Sequence, residues 1–345
     1  MKTILSVIYD NDSGGAEILC YEFIRATQNK YRHHVVILNG EKNTLQFDKI
    51  AKTYTLGYSV RNGKMATFYS FLRYIRLVLS IRPSAIISNA WIPLLFNVPL
   101  LPFFNIIQYH HSDFVHEKVS MLRALSIRLS GVFRARNIVL TREVQNAFRQ
   151  QFGFVPICLH NPCRIDFRGL KSTKDRLLSS QVNLLFIGRL EEIKGIEDLI
   201  EIERLLRPYS QFSWTVVGEG SYCEKIRDIG DIRYIPYIEK PGEIYLESDF
   251  LILTSKYEGF GNVVVEALCA GCTPLTYSTS GTRAIHDLTG LLRFPDMNTP
   301  ESMKELILQT WEKREKISSE KINTLRTQFS LNSWVTAVEE IVAIK

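Results

Sequence analysis

One recurring pattern constrains this chain more than any other feature. A short run of β-forming apolar residues is followed by a turn rich in glycine, asparagine or serine, and then by a helical stretch with one apolar face. Ile4-Leu5-Ser6-Val7-Ile8-Tyr9 opens the series, and Asp12-Ser13-Gly14-Gly15 ends it ahead of a helix whose Ala16, Leu19, Cys20, Phe23 and Ile24 share a face. The pattern returns at His34-Val35-Val36-Ile37-Leu38, Ala85-Ile86-Ile87-Ser88, Asn105-Ile106-Ile107-Gln108-Tyr109 and Asn137-Ile138-Val139-Leu140, which complete a first set. It restarts past Asp166, at Val182-Asn183-Leu184-Leu185-Phe186-Ile187, Phe212-Ser213-Trp214-Thr215-Val216-Val217, Phe250-Leu251-Ile252-Leu253 and Thr273-Pro274-Leu275-Thr276-Tyr277. Strands alternating with helices predict parallel sheets with both faces covered, so the fold class is α/β, two doubly wound units in tandem. The boundary is expected near His160-Asn161-Pro162, where a helix stops and proline resists its renewal, giving units of 1–165 and 166–329. Ligands of such sheets bind at the carboxyl ends of strands, against helix N-termini.

Several classes are excluded. The opening Met1-Lys2-Thr3-Ile4-Leu5-Ser6-Val7-Ile8 is too short for a secretory signal, and acidic residues follow it. The longest apolar stretch, Trp91 to Ile107, holds Pro93, Pro99 and Pro102 and reads as buried helix and strand, not as a membrane span. Six cysteines without a signal fit free thiols in a reducing, cytoplasmic compartment. Cys269-Ala270-Gly271-Cys272 has no second CxxC or histidine pair beside it, so it reads as small buried residues at a helix end. Charge is uneven: residues 1–165 hold 20 Lys and Arg against 9 Asp and Glu, net +11, and the remainder is −5. A basic first half suggests an anionic partner, or only ordinary solubility. With no zinc finger, aromatic RNA-binding signature or dense basic run, no nucleic-acid partner is expected.

Two constellations carry chemistry. Ser255-Lys256-Tyr257-Glu258-Gly259-Phe260-Gly261-Asn262-Val263-Val264-Val265-Glu266 follows a strand and opens a helix. Gly259 and Gly261 allow a sharp turn and a close ligand approach. The amides of Gly261, Asn262 and Val263 then lie at a helix N-terminus, where orphan donors and the macrodipole attract phosphate. Glu258 and Glu266 can accept hydroxyl hydrogen bonds from a sugar and a ribose, or stand as a solvated pair. On so apolar a helix Glu266 is costly without a partner. In Gly188-Arg189-Leu190-Glu191-Glu192-Ile193-Lys194-Gly195, Arg189 leaves a strand end and Lys194 opens the next helix. Both are expected to converge on the glycine turn, Arg189 as a two-donor clamp and Lys194 as a point charge on phosphate.

Glu258-x7-Glu266, Gly188-Arg189 with Lys194-Gly195, Gly218-Glu219-Gly220 and Gly14-Gly15-Ala16-Glu17, in this order and spacing, resemble the retaining family 4 glycosyltransferases of GT-B fold, over nearly the whole chain. The resemblance implies two Rossmann-like domains facing a cleft: an acceptor-side domain, on which a helix at about 330–345 packs back, and a donor-binding domain. It implies that Arg189 and Lys194 hold the donor pyrophosphate, with Gly259, Phe260, Gly261, Asn262 and Val263 around the donor. Glu266 would then bind the ribose hydroxyls, Glu258 the transferred sugar, and Gly14 and Gly15 would lie near phosphate and acceptor. In the resembled family a histidine commonly ends the strand at 105–109 and faces the donor sugar. Alternation from Ile106 favours His110 for that catalytic place, with His111 on the acceptor side. The chain departs from the pattern at Pro236-Tyr237, where the family has glycine before the base loop, and at Ser280-Gly281-Thr282-Arg283-Ala284-Ile285, which lacks an acidic residue.

The implied reaction moves a sugar from a nucleotide diphosphate sugar, a UDP-sugar, to a saccharide or lipid-linked saccharide, as in lipopolysaccharide, O-antigen or capsule synthesis. The anomeric configuration is kept by front-face attack, the leaving diphosphate takes the acceptor proton, and no cofactor or metal is required. Asp10-Asn11-Asp12 has the look of a metal-binding DxD, but its strand is the first in the chain and Gly14-Gly15 follows. Rival readings are a nucleotide-sugar epimerase of the same fold, which product analysis separates, and a non-catalytic nucleotide-sugar binder, against which Glu258, Glu266, Arg189 and Lys194 argue. The basic, acid-free amphipathic stretches 121–136 and 71–78 suit either a core-facing helix or an anionic membrane face, placing the protein on the inner side of the cell membrane.

Overall fold

The computed structural model describes residues 1–11, 14–40, 45–58, 64–111, 114, 119–170, 181–313 and 316–344. It divides into two compact units, Met1–His160 with Asn332–Lys345, and Asn161–Leu331. Residues 161–165, assigned to the first unit from sequence, thus group with the second. The helix expected to stop there, Arg142–Phe152, ends earlier, at Gly153 in the left-handed conformation, and a further strand intervenes.

The first unit is built on strands β1 (Lys2–Ile8), β2 (Tyr31–Ile37), β3 (Lys52–Thr55), β4 (Ala85–Asn89), β5 (Ile106–His110), β6 (Arg136–Val139) and β7 (Ile157–Cys158). All pairings are parallel, in the order β3-β2-β1-β4-β5-β6-β7. The five residues of β4 and of β5 are all buried, as expected of strands covered on both faces. Each buried Ile, Leu or Val there contributes about 1.5–3 kcal/mol. Order reverses between β1 and β4, which makes their carboxyl ends the switch point of the sheet. The helix Gly15–Thr27 follows β1 and buries Leu19, Cys20, Phe23 and Ile24. The helix Leu331–Ala343 returns to this unit, with Trp334 edge-on to Phe23 and Glu339 paired to Lys30 at 2.8 Å.

The second unit carries β8 (Val182–Ile187), β9 (Phe212–Val217), β10 (Ile232–Ile235), β11 (Phe250–Leu253) and β12 (Thr273–Thr276), all parallel, in the order β10-β9-β8-β11-β12. Here the reversal falls between β8 and β11. The two loops leaving that point are Gly188 to Gly195 and Thr254 to Gly261, the stretches that hold the sequence motifs.

Candidate active site

Adjacency of β8 and β11 explains the first contact of the second unit's site. The loop after β8 closes in a 3-10 turn, Glu192–Lys194, and Gly195 leads into the helix Ile196–Leu206. Gly195 has φ +65, and a Cβ on it would stand 2.1 Å from the Thr254 carbonyl oxygen, so only glycine fits. Thr254, just past β11, fastens this loop: its Oγ1 donates to the carbonyls of Lys194 at 3.0 Å and Gly195 at 2.9 Å. Lys194 Nζ is thereby brought to Glu258 Oε1, 2.5 Å away, and Ser255 Oγ donates to the same oxygen at 2.7 Å. The backbone of Glu258 is fixed as well, its carbonyl accepting from Gly281 N at 3.1 Å and Ser280 Oγ at 3.3 Å. Arg189 lies exposed on the loop that follows β8.

Past Glu258 the chain turns through Gly259 and buried Phe260 to Gly261, whose φ of +96 starts the helix Asn262–Ala270. Among the described residues no side chain caps this helix; Val264 N bonds the Gly261 carbonyl at 2.9 Å, and the amides ahead of it suit an anion. Glu266, one turn after Asn262, is 1% exposed. Its partner is Arg164, which the sequence reading did not single out: Nε donates to Oε1 at 2.7 Å and Nη2 stands 2.6 Å from the same oxygen. The Tyr245 hydroxyl donates to Oε2 at 2.8 Å. Burial pushes the Tyr245 phenol well above its ordinary range, and the Glu266 carboxylate adds to this. For Arg164 burial works against the charge, but the carboxylate of Glu266 outweighs it and raises the guanidinium. Asn161 Nδ2 donates to Asn262 Oδ1 at 2.9 Å, and Cys163 N to the Phe329 carbonyl at 2.8 Å, so the segment carrying Arg164 is held on both sides.

Lys194 and Glu258 are thus brought together, and Glu258 and Glu266 flank one helix start. Gly14, Gly15, His110 and His111 belong to the first unit. Gly14 precedes the helix Gly15–Thr27 at the carboxyl side of β1. His110 ends β5 with its ring edge-on to Phe114 and tilted against Phe148, and its Nε2 lies 2.8 Å from Asn137 Oδ1. Burial lowers its pKa to about 3. His111 turns the other way, stacked on Tyr109 with Nε2 3.4 Å from Asn89 Oδ1, and burial lowers it to about 4. His111, Asn89, Tyr109, Ser6 and Trp334 line a cavity of about 20 Å³, room for a single water. Asn89 Nδ2, Tyr109 OH and Trp334 Nε1 have no hydrogen-bond partner among the described residues.

Asp10 accepts from Asn11 N at 2.9 Å and Asn39 Nδ2 at 3.4 Å, while Asp12 lies outside the described residues. Among the described residues no cluster of His, Cys, Asp and Glu is arranged to hold a metal. The six cysteines are free, and the buried Cys163 thiol donates to the Ile165 carbonyl at 3.8 Å. Two helices of the first unit expose basic and apolar side chains, Arg73, Arg76 and Arg128 among the basic ones, while Arg123 is buried. The helix Lys64–Ile81 exposes Met65, Phe68, Tyr69 and Leu79, and the helix Met121–Val132 exposes Met121, Leu122 and Leu125. No helix among the described residues is long and apolar enough to cross a membrane.

Residues 181–313 match the family model described as glycosyl transferases group 1, and this stretch contains Arg189, Lys194, Glu258 and Glu266. An uncharacterized 41.2 kDa protein from the cps region of Klebsiella pneumoniae is 28% identical over 174 residues, 48% of each chain. The chain spans about half the length of the curated relatives it matches first. Anabaena HepE in complex with UDP and glucose has a TM-score of 0.81 at 15% identity, over 99% of this chain and 100% of that one. The apo form of the lipopolysaccharide outer core galactosyltransferase WaaB has a TM-score of 0.73 at 17% identity, over 99% of each chain. The fold is accordingly α/β, two parallel sheets with flanking helices, with glycosyltransferases of GT-B fold as structural neighbours. The stretch 181–313 is thus similar to the group 1 glycosyl transferases.

Proposed function

We propose that the protein is a retaining, metal-independent glycosyltransferase. It would transfer a sugar from a UDP-sugar to a saccharide or lipid-linked saccharide in the synthesis of a bacterial cell-surface polysaccharide. The observation that carries this reading is the Lys194–Glu258 contact beside the start of the helix Asn262–Ala270, which no side chain among the described residues caps. A cation, a helix N-terminus and a carboxylate at one switch point suit a diphosphate bearing a sugar: the first two offset charge on the leaving group, and the carboxylate accepts sugar hydroxyls. Arg189, exposed on the same loop as Lys194, would close on the diphosphate from solvent. Gly259, Phe260, Gly261, Asn262 and Val263 would line the donor, and Glu266 would meet the ribose. The choice of UDP draws on the neighbour solved with UDP and glucose, and that of a surface polysaccharide on the cps-region relative and the lipopolysaccharide enzyme.

In the first unit His111 is the better candidate to face substrate, since it lines the small cavity, whereas His110 is packed among aromatic rings. Gly14 and Gly15 would approach donor phosphate and acceptor. The exposed apolar and basic helices favour peripheral seating on an anionic membrane, where a lipid-linked acceptor resides.

The test is product analysis by NMR with UDP-sugars and a lipid-linked acceptor, alongside Glu258→Gln and Glu266→Gln. The reading expects an unchanged anomeric configuration. It also expects Glu258→Gln to depress turnover with little change in UDP affinity, and Glu266→Gln to weaken UDP itself. An inverted product, or an epimerised free nucleotide sugar with no transfer, would contradict it.

A further inference from the structure

The carboxylate of Glu266 is more committed than that of a ligand group waiting for its substrate. One guanidinium edge covers Oε1, with Arg164 Nε at 2.7 Å and Nη2 at 2.6 Å. Oε2 accepts the Tyr245 hydroxyl at 2.8 Å. An ionised carboxylate offers about four lone-pair positions. Among the described residues these are its contacts, so with Oε1 covered and Oε2 half used one position remains, on Oε2. Arg164 is also the cation beside this buried carboxylate, which would be costly without one. Arg164 is itself placed by the bonds of its neighbours, Asn161 to Asn262 and Cys163 to Phe329. Asn262 and Glu266 are four residues apart on one helix face, so the segment 161–164 runs along the face that carries Glu266.

We propose that Arg164 is a positioning residue for nucleotide recognition: it holds the Glu266 side chain with Oε1 covered, so that a single acceptor, the open position of Oε2, meets one ribose hydroxyl of the donor. This rests on the reading that Glu266 meets the ribose. Tyr245 fixes the second oxygen. A site built this way reads one hydroxyl of the diol strongly and leaves the other to solvent or to another group.

The test is calorimetric titration of the full chain with UDP, 2′-deoxy-UDP and 3′-deoxy-UDP. The wild type is expected to bind one deoxy analogue about tenfold or more weakly than UDP, the size of a lost charged hydrogen bond, and the other within about threefold. Arg164→Met is expected to bring the larger ratio close to one. That variant leaves Glu266 without its cation and can fail to fold. Arg164→Lys, which keeps the charge but not the two-pronged edge, is then decisive, with a ratio between those of the wild type and Glu266→Gln. An Arg164→Lys protein with the full wild-type ratio overturns the proposal, because an arginine that only held the fold together would weaken all three ligands alike. Two equally weakened deoxy analogues, both restored to parity by Glu266→Gln, overturn the single acceptor while leaving the ribose reading intact. Equal binding of all three ligands by the wild type, or no binding of UDP, removes the ribose reading and the proposal with it.

Discussion

Replacing Lys194 by methionine should cost stability as well as activity, because its Nζ is the cation against Glu258. At 2.5 Å and an effective dielectric of about 20, the gross attraction is about 7 kcal/mol, most of which desolvation offsets. Breaking one side of a fully buried pair costs about 3–5 kcal/mol. Here the side chains keep 19% and 10% of their exposure, and Ser255 still donates to the stranded oxygen, so about 2–3 kcal/mol is expected. Glu258→Gln should cost less, about 1–2 kcal/mol, since the freed ammonium reaches water and the amide oxygen can still accept from Ser255. Lys194→Met with Glu258→Gln should fall short of the sum by about 1 kcal/mol or more, because each single change already removes the shared contact. Urea unfolding followed by tryptophan fluorescence measures this, with Trp214 and Trp311 reporting on the second unit. In parallel, Lys194→Met should lower turnover on the order of 10²–10³-fold, as loss of a leaving-group charge stabiliser does. Strictly additive losses, or a Lys194→Met protein as stable as the wild type, would refute the pairing; stability loss with full turnover would refute the role in catalysis.

Three further outcomes follow from the geometry. Gly195→Ala should destabilise the second unit by about 3 kcal/mol or more, since a Cβ at φ +65 meets the Thr254 carbonyl oxygen at 2.1 Å; an unchanged denaturation midpoint would contradict this. The first unit should lose stability in acid, because burial holds His33 and His111 at about 4 and His110 at about 3, below the ordinary 6.5. The unfolded chain takes up these protons first, so the contribution is present above pH 6.5 and is lost as pH falls toward those values, at about 1.4 kcal/mol per pH unit for each group; thermal midpoints that stay level from pH 7 to pH 5 would argue against neutral buried histidines. Sedimentation with vesicles should show salt-sensitive binding to anionic lipid, each basic side chain near the surface adding about 1 kcal/mol, and equal binding to neutral vesicles would exclude the membrane reading.

The sequence disclosed the α/β class because central strands are buried on both faces and read as continuous apolar runs. It did not disclose β3, β7 and β10, and all three are sheet edges. Lys52-Thr53-Tyr54-Thr55 has no buried residue, and β7 is two half-buried residues, so neither carries the pattern that marks a covered strand. At Glu266 the sequence implied that a partner must exist, since a carboxylate on an apolar helix cannot stand alone. It could not identify Arg164, which lies in an irregular segment two residues past Pro162 with no periodicity to place it. Lys194 and Glu258 carry motif signals separately, and their contact depends on the adjacency of β8 and β11, a fact of topology. The two histidines show the limit of alternation: it separates His110 from His111 by face, but which face holds Phe148 and which the cavity depends on helices distant in sequence.

The claim that the second unit is a nucleoside diphosphate sugar site is tested most directly by calorimetric titration of the wild type and of Lys194→Met with UDP, GDP, ADP and UMP. The account predicts saturable binding of UDP, at least about tenfold weaker binding of UMP, which lacks the second phosphate, and a comparable loss of UDP affinity in the variant. Failure of every nucleoside diphosphate to bind at millimolar concentration, or UDP binding that is indifferent to Lys194, would contradict it.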